Sequence, residues 1–137
     1  MSGVAHISEM TSLALHSMAF IAVNNHKMLN VKEIAGEIGA SEAHLSKVLQ
    51  RLVKAGLLNS TRGPSGGFKL TKTPGEIKLS DIYQTMEGPI LGEGCPVHRT
   101  KCPFSRCILG GILQKLNQEF ETYLKNLTLQ DFCDTLK

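Results

Sequence analysis

The sequence predicts a mainly α protein with one small β-hairpin: a winged helix-turn-helix domain followed by a long C-terminal dimerisation helix. Three observations carry this. Two stretches with helical apolar spacing, near residues 32–38 and 41–55, meet at a Gly39-Ala40 break. Two short strand-like segments, Leu57–Thr61 and Phe68–Leu70, flank Arg62-Gly63-Pro64-Ser65-Gly66-Gly67. A further amphipathic stretch, from about Arg106 to Asn126, carries a wide apolar face.

The elements follow in order. A first helix is expected from about Ser8 to Asn25, because Leu13, Ala14, Ile21 and Ala22 recur at helical spacing and Asn24-Asn25-His26-Lys27 forms a polar exit. A short helix near Lys32–Ile38 is stopped by Gly39. Ser41 is placed to cap the next helix, with Glu42 in its first turn where a negative charge suits the helix dipole. Leu45, Val48, Leu49 and Leu52 form its apolar stripe, and Gly56 ends it. The glycine-rich run then turns the hairpin, Pro74-Gly75 marks another turn, and a short helix runs from Ser80-Asp81 through Met86 until Gly88-Pro89. From Ile90 to about Ser105 there is no apolar periodicity, which reads as a loop. The long helix over residues 106–126 presents Ile108, Leu109, Ile112, Leu113, Leu116, Phe120, Tyr123 and Leu124. Thr128 and Asp131 then resemble a capping box for a last short helix.

With 137 residues and 42% hydrophobic composition, the chain is one ordinary globular domain, large enough to bury a core without disulfides. Its regions divide as 8–89 for the winged helix-turn-helix, 90–105 for a cysteine-rich loop, and 106–137 for the dimerisation and C-terminal helices. No basic, apolar leader and no run near the ~18 apolar residues of a membrane span occurs, so the expected setting is the reducing cytoplasm, with no membrane partner.

The net charge is only +3, yet no acidic residue lies between Glu42 and Glu76, while Lys47, Arg51, Lys54, Arg62, Lys69 and Lys72 do. A one-signed stretch of this kind suits a phosphate backbone, and the expected partner is double-stranded DNA. The second helix of the helix-turn-helix would enter the major groove with Ser41, Ala43, His44, Ser46 and Gln50 near base edges and Lys47, Arg51 and Lys54 near phosphates. Arg62, Gly63, Ser65 and Gly66 form the hairpin tip, where glycines let backbone come close and an arginine suits a narrow minor groove. A solvated basic face or a winged helix used for protein contacts are the alternatives from charge alone.

Three of the four cysteines lie within thirteen residues, as Cys95-x6-Cys102-x4-Cys107. In a reducing compartment such clusters favour metal or redox chemistry, and soft thiolates select zinc, copper(I) or an iron–sulfur cluster. Proline follows both Cys95 and Cys102, which keeps the loop from becoming helical. Structural zinc usually uses a close cysteine pair, and no C-x2-C occurs. Cys133, far from the trio, reads as a simple thiol. No C-x-x-C redox pair, phosphate-binding glycine loop or nucleophile–base arrangement points to an enzyme.

Val31–Pro89, with its Leu45-Ser46-Lys47-Val48-Leu49, Gly56-Leu57-Leu58 and Ser60-Thr61-Arg62-Gly63-Pro64-Ser65-Gly66-Gly67-Phe68-Lys69-Leu70 segments, closely resembles the Rrf-type family of bacterial winged-helix regulators, which includes the IscR and NsrR types. The Arg-Gly-Pro-x-Gly-Gly-aromatic-x-Leu wing is highly specific to it, and the resemblance covers nearly the whole chain. It implies that Arg62 contacts DNA from the wing and that Ala43 and Ser46 lie at base edges. It implies also that Cys95, Cys102 and Cys107 hold an iron–sulfur cluster, 2Fe-2S or 4Fe-4S. Cluster-binding members usually have about five residues in each gap; six and four here leave the cluster type open. A fourth ligand has several candidates, His6 and Glu9 of the N-terminal segment among them; in the family it can be a non-cysteine group, sometimes from the partner's first helix. His16 matches a position that supplies a histidine in a redox-sensing relative, whereas Ser12 stands where others carry an acidic ligand and His98 lies within the loop.

The wide apolar face of the long helix exceeds what a small winged-helix core covers, so a homodimer is expected, with half-sites about 34–36 Å apart on a roughly palindromic operator. Together these features lead to a transcriptional regulator whose DNA affinity is set by an iron–sulfur cluster sensing redox state, nitric oxide or iron. A zinc-stabilised or thiol-based regulator without a cluster is the alternative.

Overall fold

The structure is a computed structural model; it describes residues 6–90 and 102–135. Helix α1 (Glu9–Val23) starts at Ser8, whose Oγ accepts a 3.2 Å hydrogen bond from the Thr11 N–H. Helix α2 (Val31–Ile38) opens on a capping box that the sequence reading did not use. Asn30 Oδ1 accepts from the Glu33 N–H at 2.8 Å, and Glu33 Oε1 accepts from the Asn30 N–H at 3.2 Å. Gly39 ends α2 in the left-handed conformation, φ 71°, as glycine does at no steric cost. Helix α3 (Glu42–Lys54) starts at Ser41, whose Oγ accepts from the His44 N–H at 3.2 Å. Both expected caps of the helix-turn-helix are therefore present.

Strands β1 (Leu58–Thr61) and β2 (Gly67–Leu70) pair antiparallel, Leu58 opposite Leu70 and Thr61 opposite Gly67. A third extended residue joins them. Leu29 exchanges two backbone bonds with Phe68, at 2.7 and 3.2 Å, and so ties the wing to the turn before α2. A single-residue strand has no period for sequence inspection to detect. Helix α4 (Leu79–Glu87) follows a short 3-10 turn at Pro74–Glu76.

Helix α5 spans Ile112–Asn126 rather than beginning near Arg106. Gly110 and Gly111 both take positive φ, 57° and 79°, and residues 107–112 form turns closed by Gly110 N–H to Cys107 O and Ile112 N–H to Leu109 O, both 3.0 Å. Ile108 and Leu109 thus lie outside the helix whose face they were expected to share. The last element is a 3-10 turn, Leu129–Phe132, opened by the expected Thr128–Asp131 pairing: Asp131 Oδ2 accepts from the Thr128 N–H at 2.8 Å.

The core gathers on α1. Met18 and Ile21 share one buried cluster with Ile34 of α2, Leu45, Val48, Leu49 and Leu52 of α3, Leu58 of β1 and Ile82 of α4, all fully or almost fully buried. Side chains of this size each contribute about 1.5–3 kcal/mol when removed from water, so α1 acts as the post on which the reading unit is mounted. The C-terminal end returns to this core. Lys78 bridges Thr128, and Leu79 N–H to Leu127 O and Leu129 N–H to Ile77 O, both 3.0 Å, stitch the segment before α4 to the segment after α5. Tyr83 of α4 meets Phe120 of α5 edge to face, centroids 5.2 Å apart. Among the described residues no helix is long and apolar enough to cross a membrane.

Candidate nucleic-acid interface and thiol site

Burying Leu45, Val48, Leu49 and Leu52 turns the opposite face of α3 outward. Ser41, Ala43, His44, Lys47, Gln50, Arg51 and Lys54 are exposed there, and Ser46 is half-buried. The structure therefore brings the sequence-predicted reading residues onto one solvent face at and beyond the helix N-terminus. Arg51 differs from its neighbours: its Nη2 donates to the Thr85 carbonyl in the last turn of α4 at 3.2 Å. No hydrogen bond or ion pair engages Lys47 or Lys54 among the described residues.

The wing tip exposes Arg62, Gly63, Pro64 and Ser65. Gly63 has φ 105°, and the Gly66 N–H closes the turn onto the Gly63 carbonyl at 3.0 Å. The glycines have an intramolecular reason beyond close approach to a ligand. A Cβ on Gly66 would collide with the Thr61 carbonyl, and one on Gly67 would lie 2.6 Å from the Leu29 carbonyl carbon. The tip keeps its shape because those two positions lack a side chain, and Arg62 is presented from a rigid turn.

Cys102 and Cys107 are exposed free thiols ahead of α5. Cys95 and His98 lie outside the described residues. His16 is exposed on α1, its Nδ1 2.7 Å from the Ser12 carbonyl. A carbonyl only accepts, so Nδ1 donates to it, and Nε2 is the ring nitrogen left outside that bond and placed to meet a metal. By chemistry this donor set fits a soft metal centre. Among the described residues, which exclude Cys95 and His98, no three His, Cys, Asp or Glu side chains gather. Cys133, half-buried with its Sγ 3.6 Å from the Leu129 carbonyl, has its thiol pKa pushed up by burial and by Asp134.

The end of α4 is fastened to the start of α1. Glu87 Oε2 accepts from the Ser8 N–H at 2.9 Å, His6 Nε2 lies 4.0 Å away, and the Tyr83 hydroxyl donates to the His6 carbonyl at 2.9 Å. The Ser8 N–H, chiefly, holds the Glu87 carboxyl below its ordinary value of 4.5; burial opposes this, and Thr11, the Ser8 side chain and His6 assist. A depressed carboxylate stabilises the fold above its unfolded pKa and loses that contribution as pH falls through the folded value. Wild-type protein is thus expected to lose urea resistance below pH 4.5, whereas Glu87→Gln starts weaker at neutral pH and shows a shallower decline. Parallel pH profiles for the two proteins would remove this role.

The chain thus joins a capped helix-turn-helix, a two-stranded wing extended by Leu29 and a segment with exposed thiols. The family model named Rrf2, an iron-dependent transcriptional regulator, matches residues 7–135. The chain belongs to the Rrf2 family. It is 31% identical over 131 residues to the HTH-type transcriptional regulator NsrR of Geobacillus kaustophilus, covering 93% of this chain and 89% of that protein. CymR, the global cysteine regulator of B. subtilis, superposes with a TM-score of 0.78 at 26% identity, over 98% of this chain and 100% of that one. IscR of T. potens superposes with a TM-score of 0.76 at 26% identity, over 97% of this chain and 89% of that one.

This Rrf2 chain is a winged-helix, DNA-binding transcriptional regulator. The Leu29 strand, the Arg51–Thr85 bond and the Glu87–Ser8 bond have no signal along the sequence, whereas the Asn30-x-x-Glu33 capping box has a local one.

Proposed function

We propose that this Rrf2 regulator binds a roughly palindromic operator as a homodimer and that an iron–sulfur cluster held by Cys95, Cys102 and Cys107, with His16 as fourth ligand, sets its affinity. The observation that carries the reading is the pairing of exposed thiols with an exposed imidazole whose Nε2 is left free by the Ser12 bond. In this reading His16 serves the thiols of the partner protomer. Ile108, Leu109, Ile112, Leu116 and Tyr123, 40–79% exposed, supply apolar surface for that contact. When bound, the cluster supplies a redox- and nitric oxide-sensitive tie between the loop and α1. The residues of the chain do the rest. The Cys102 and Cys107 thiolates pull on the segment leading into α5, and His16 transmits the pull to α1, on which α3 is mounted. Ser41, Ala43, His44, Ser46 and Gln50 then face base edges, Lys47 and Lys54 face phosphates, and Arg62, Gly63, Ser65 and Gly66 follow the backbone from the wing.

The likeness to CymR favours a second reading, in which the same thiols act without iron. Colour separates the two. Protein purified anaerobically is expected to be brown with stoichiometric iron and sulfide, and Cys102→Ala to lose both. A wild type that stays colourless after anaerobic reconstitution leaves zinc or thiol sensing.

A further inference from the structure

We propose that Arg51 is a positioning residue that sets how α3 is presented to DNA, by supplying the end of α4 with a donor that the residues following it lack. Four carbonyls at a helix C-terminus have no partner from the helix itself. In α4 the Gln84 carbonyl is met by the Gly88 N–H at 2.9 Å. The next carbonyl, that of Thr85, would look to residue 89, which is Pro89 and has no N–H. Arg51 Nη2 fills that place at 3.2 Å. A cation at the negative end of a helix is favoured by the dipole as well as by the hydrogen bond.

The consequence concerns α3. Leu45, Val48, Leu49 and Leu52 hold one side of it, but apolar contacts are non-directional and leave a helix free to roll. Arg51, in the last turn, adds a directional bond to an element outside α3. That element is itself fixed, since Glu87 holds the Ser8 N–H and Tyr83 holds the His6 carbonyl. Recognition-helix roll is thus referenced to α4 and through it to the start of α1. Arg51 is held by this bond, whereas the side chain of Lys54, three residues on, makes no hydrogen bond or ion pair among the described residues.

The inference rests on α3 reading DNA, and the test separates the two. Wild type, Arg51→Gln, Arg51→Lys and Lys54→Gln are titrated over a salt series against a duplex selected by wild type from a random pool and against random duplex. For folded Arg51→Gln, checked by thermal melting, affinity for the selected duplex is expected to fall roughly three- to tenfold. Affinity for random duplex and the slope against salt stay as in wild type, and Arg51→Lys recovers part of the loss. Lys54→Gln weakens both duplexes and lowers the slope by about 0.9. The same slope change in Arg51→Gln, with equal losses on both duplexes, overturns the positioning role, as does behaviour identical to wild type. A wild type that selects no duplex removes the DNA reading and this inference together.

Discussion

Cys102→Ala is expected to abolish the difference in operator affinity between anaerobically purified and iron-stripped protein. In wild type that difference should fall between about 5- and 150-fold, corresponding to a coupling of about 1–3 kcal/mol between sensing and reading sites. The reasoning is mechanical. Cys102 and Cys107 precede the two left-handed glycines just ahead of α5, so a tie on these thiols acts on α5 at its start. The far end of α5 is held by buried Leu124 and by the Thr128–Lys78 bridge, which places α4 next in line, and α4 touches Arg51 of α3. His16→Ala should reduce the ratio without removing the thiols, and the two variants together should show no further loss. Gel-shift titrations of both states decide it. Equal affinities for holo and stripped wild type would sink the switch, whatever the colour of the protein.

Gly67→Ala is expected to destabilise the protein by about 2–4 kcal/mol and to weaken DNA binding further than stability alone explains. Gly67 sits at φ 148°, a conformation other residues adopt at a cost, and its missing Cβ is the space into which the Leu29 backbone packs. An added methyl must push Leu29 away, breaking the two bonds that join the wing to the turn before α2 and tilting Arg62. Gly36→Ala is the control. Gly36 lies exposed within α2 with nothing near its Cβ position. There alanine should raise stability by about 0.5–1 kcal/mol, by lowering the freedom of the unfolded chain. Urea denaturation and operator titration of both variants test the pair. Equal stability changes of the same sign would show that the Leu29 contact does not support the wing.

Much of the fold is legible in this sequence because its signals are short-ranged. Ser8, Ser41, Gly39 and the Thr128–Asp131 pair each act on backbone groups within four residues, so a local reading finds them. The same holds for the α3 stripe and the hairpin, where spacing and the glycine run define which side faces inward. The start of α5 was missed for a different reason: apolar periodicity continues through Ile108 and Leu109, and only the Gly110–Gly111 backbone shows where the helix begins.

The sequence by itself determined the family, the helix-turn-helix with its wing, the stretch free of acidic residues between Glu42 and Glu76, and the cysteine cluster. Only the tertiary structure decided which of the basic side chains is bonded within the protein and how the elements are joined. The Arg51–Thr85 and Ser8–Glu87 bonds span 34 and 79 residues, and Leu29 reaches Phe68 as a single extended residue. The physical reason is that such bonds join groups common everywhere in a chain, a carbonyl, an N–H, a guanidinium. Their pairing is set by where packing brings them, so no pattern along the sequence marks it.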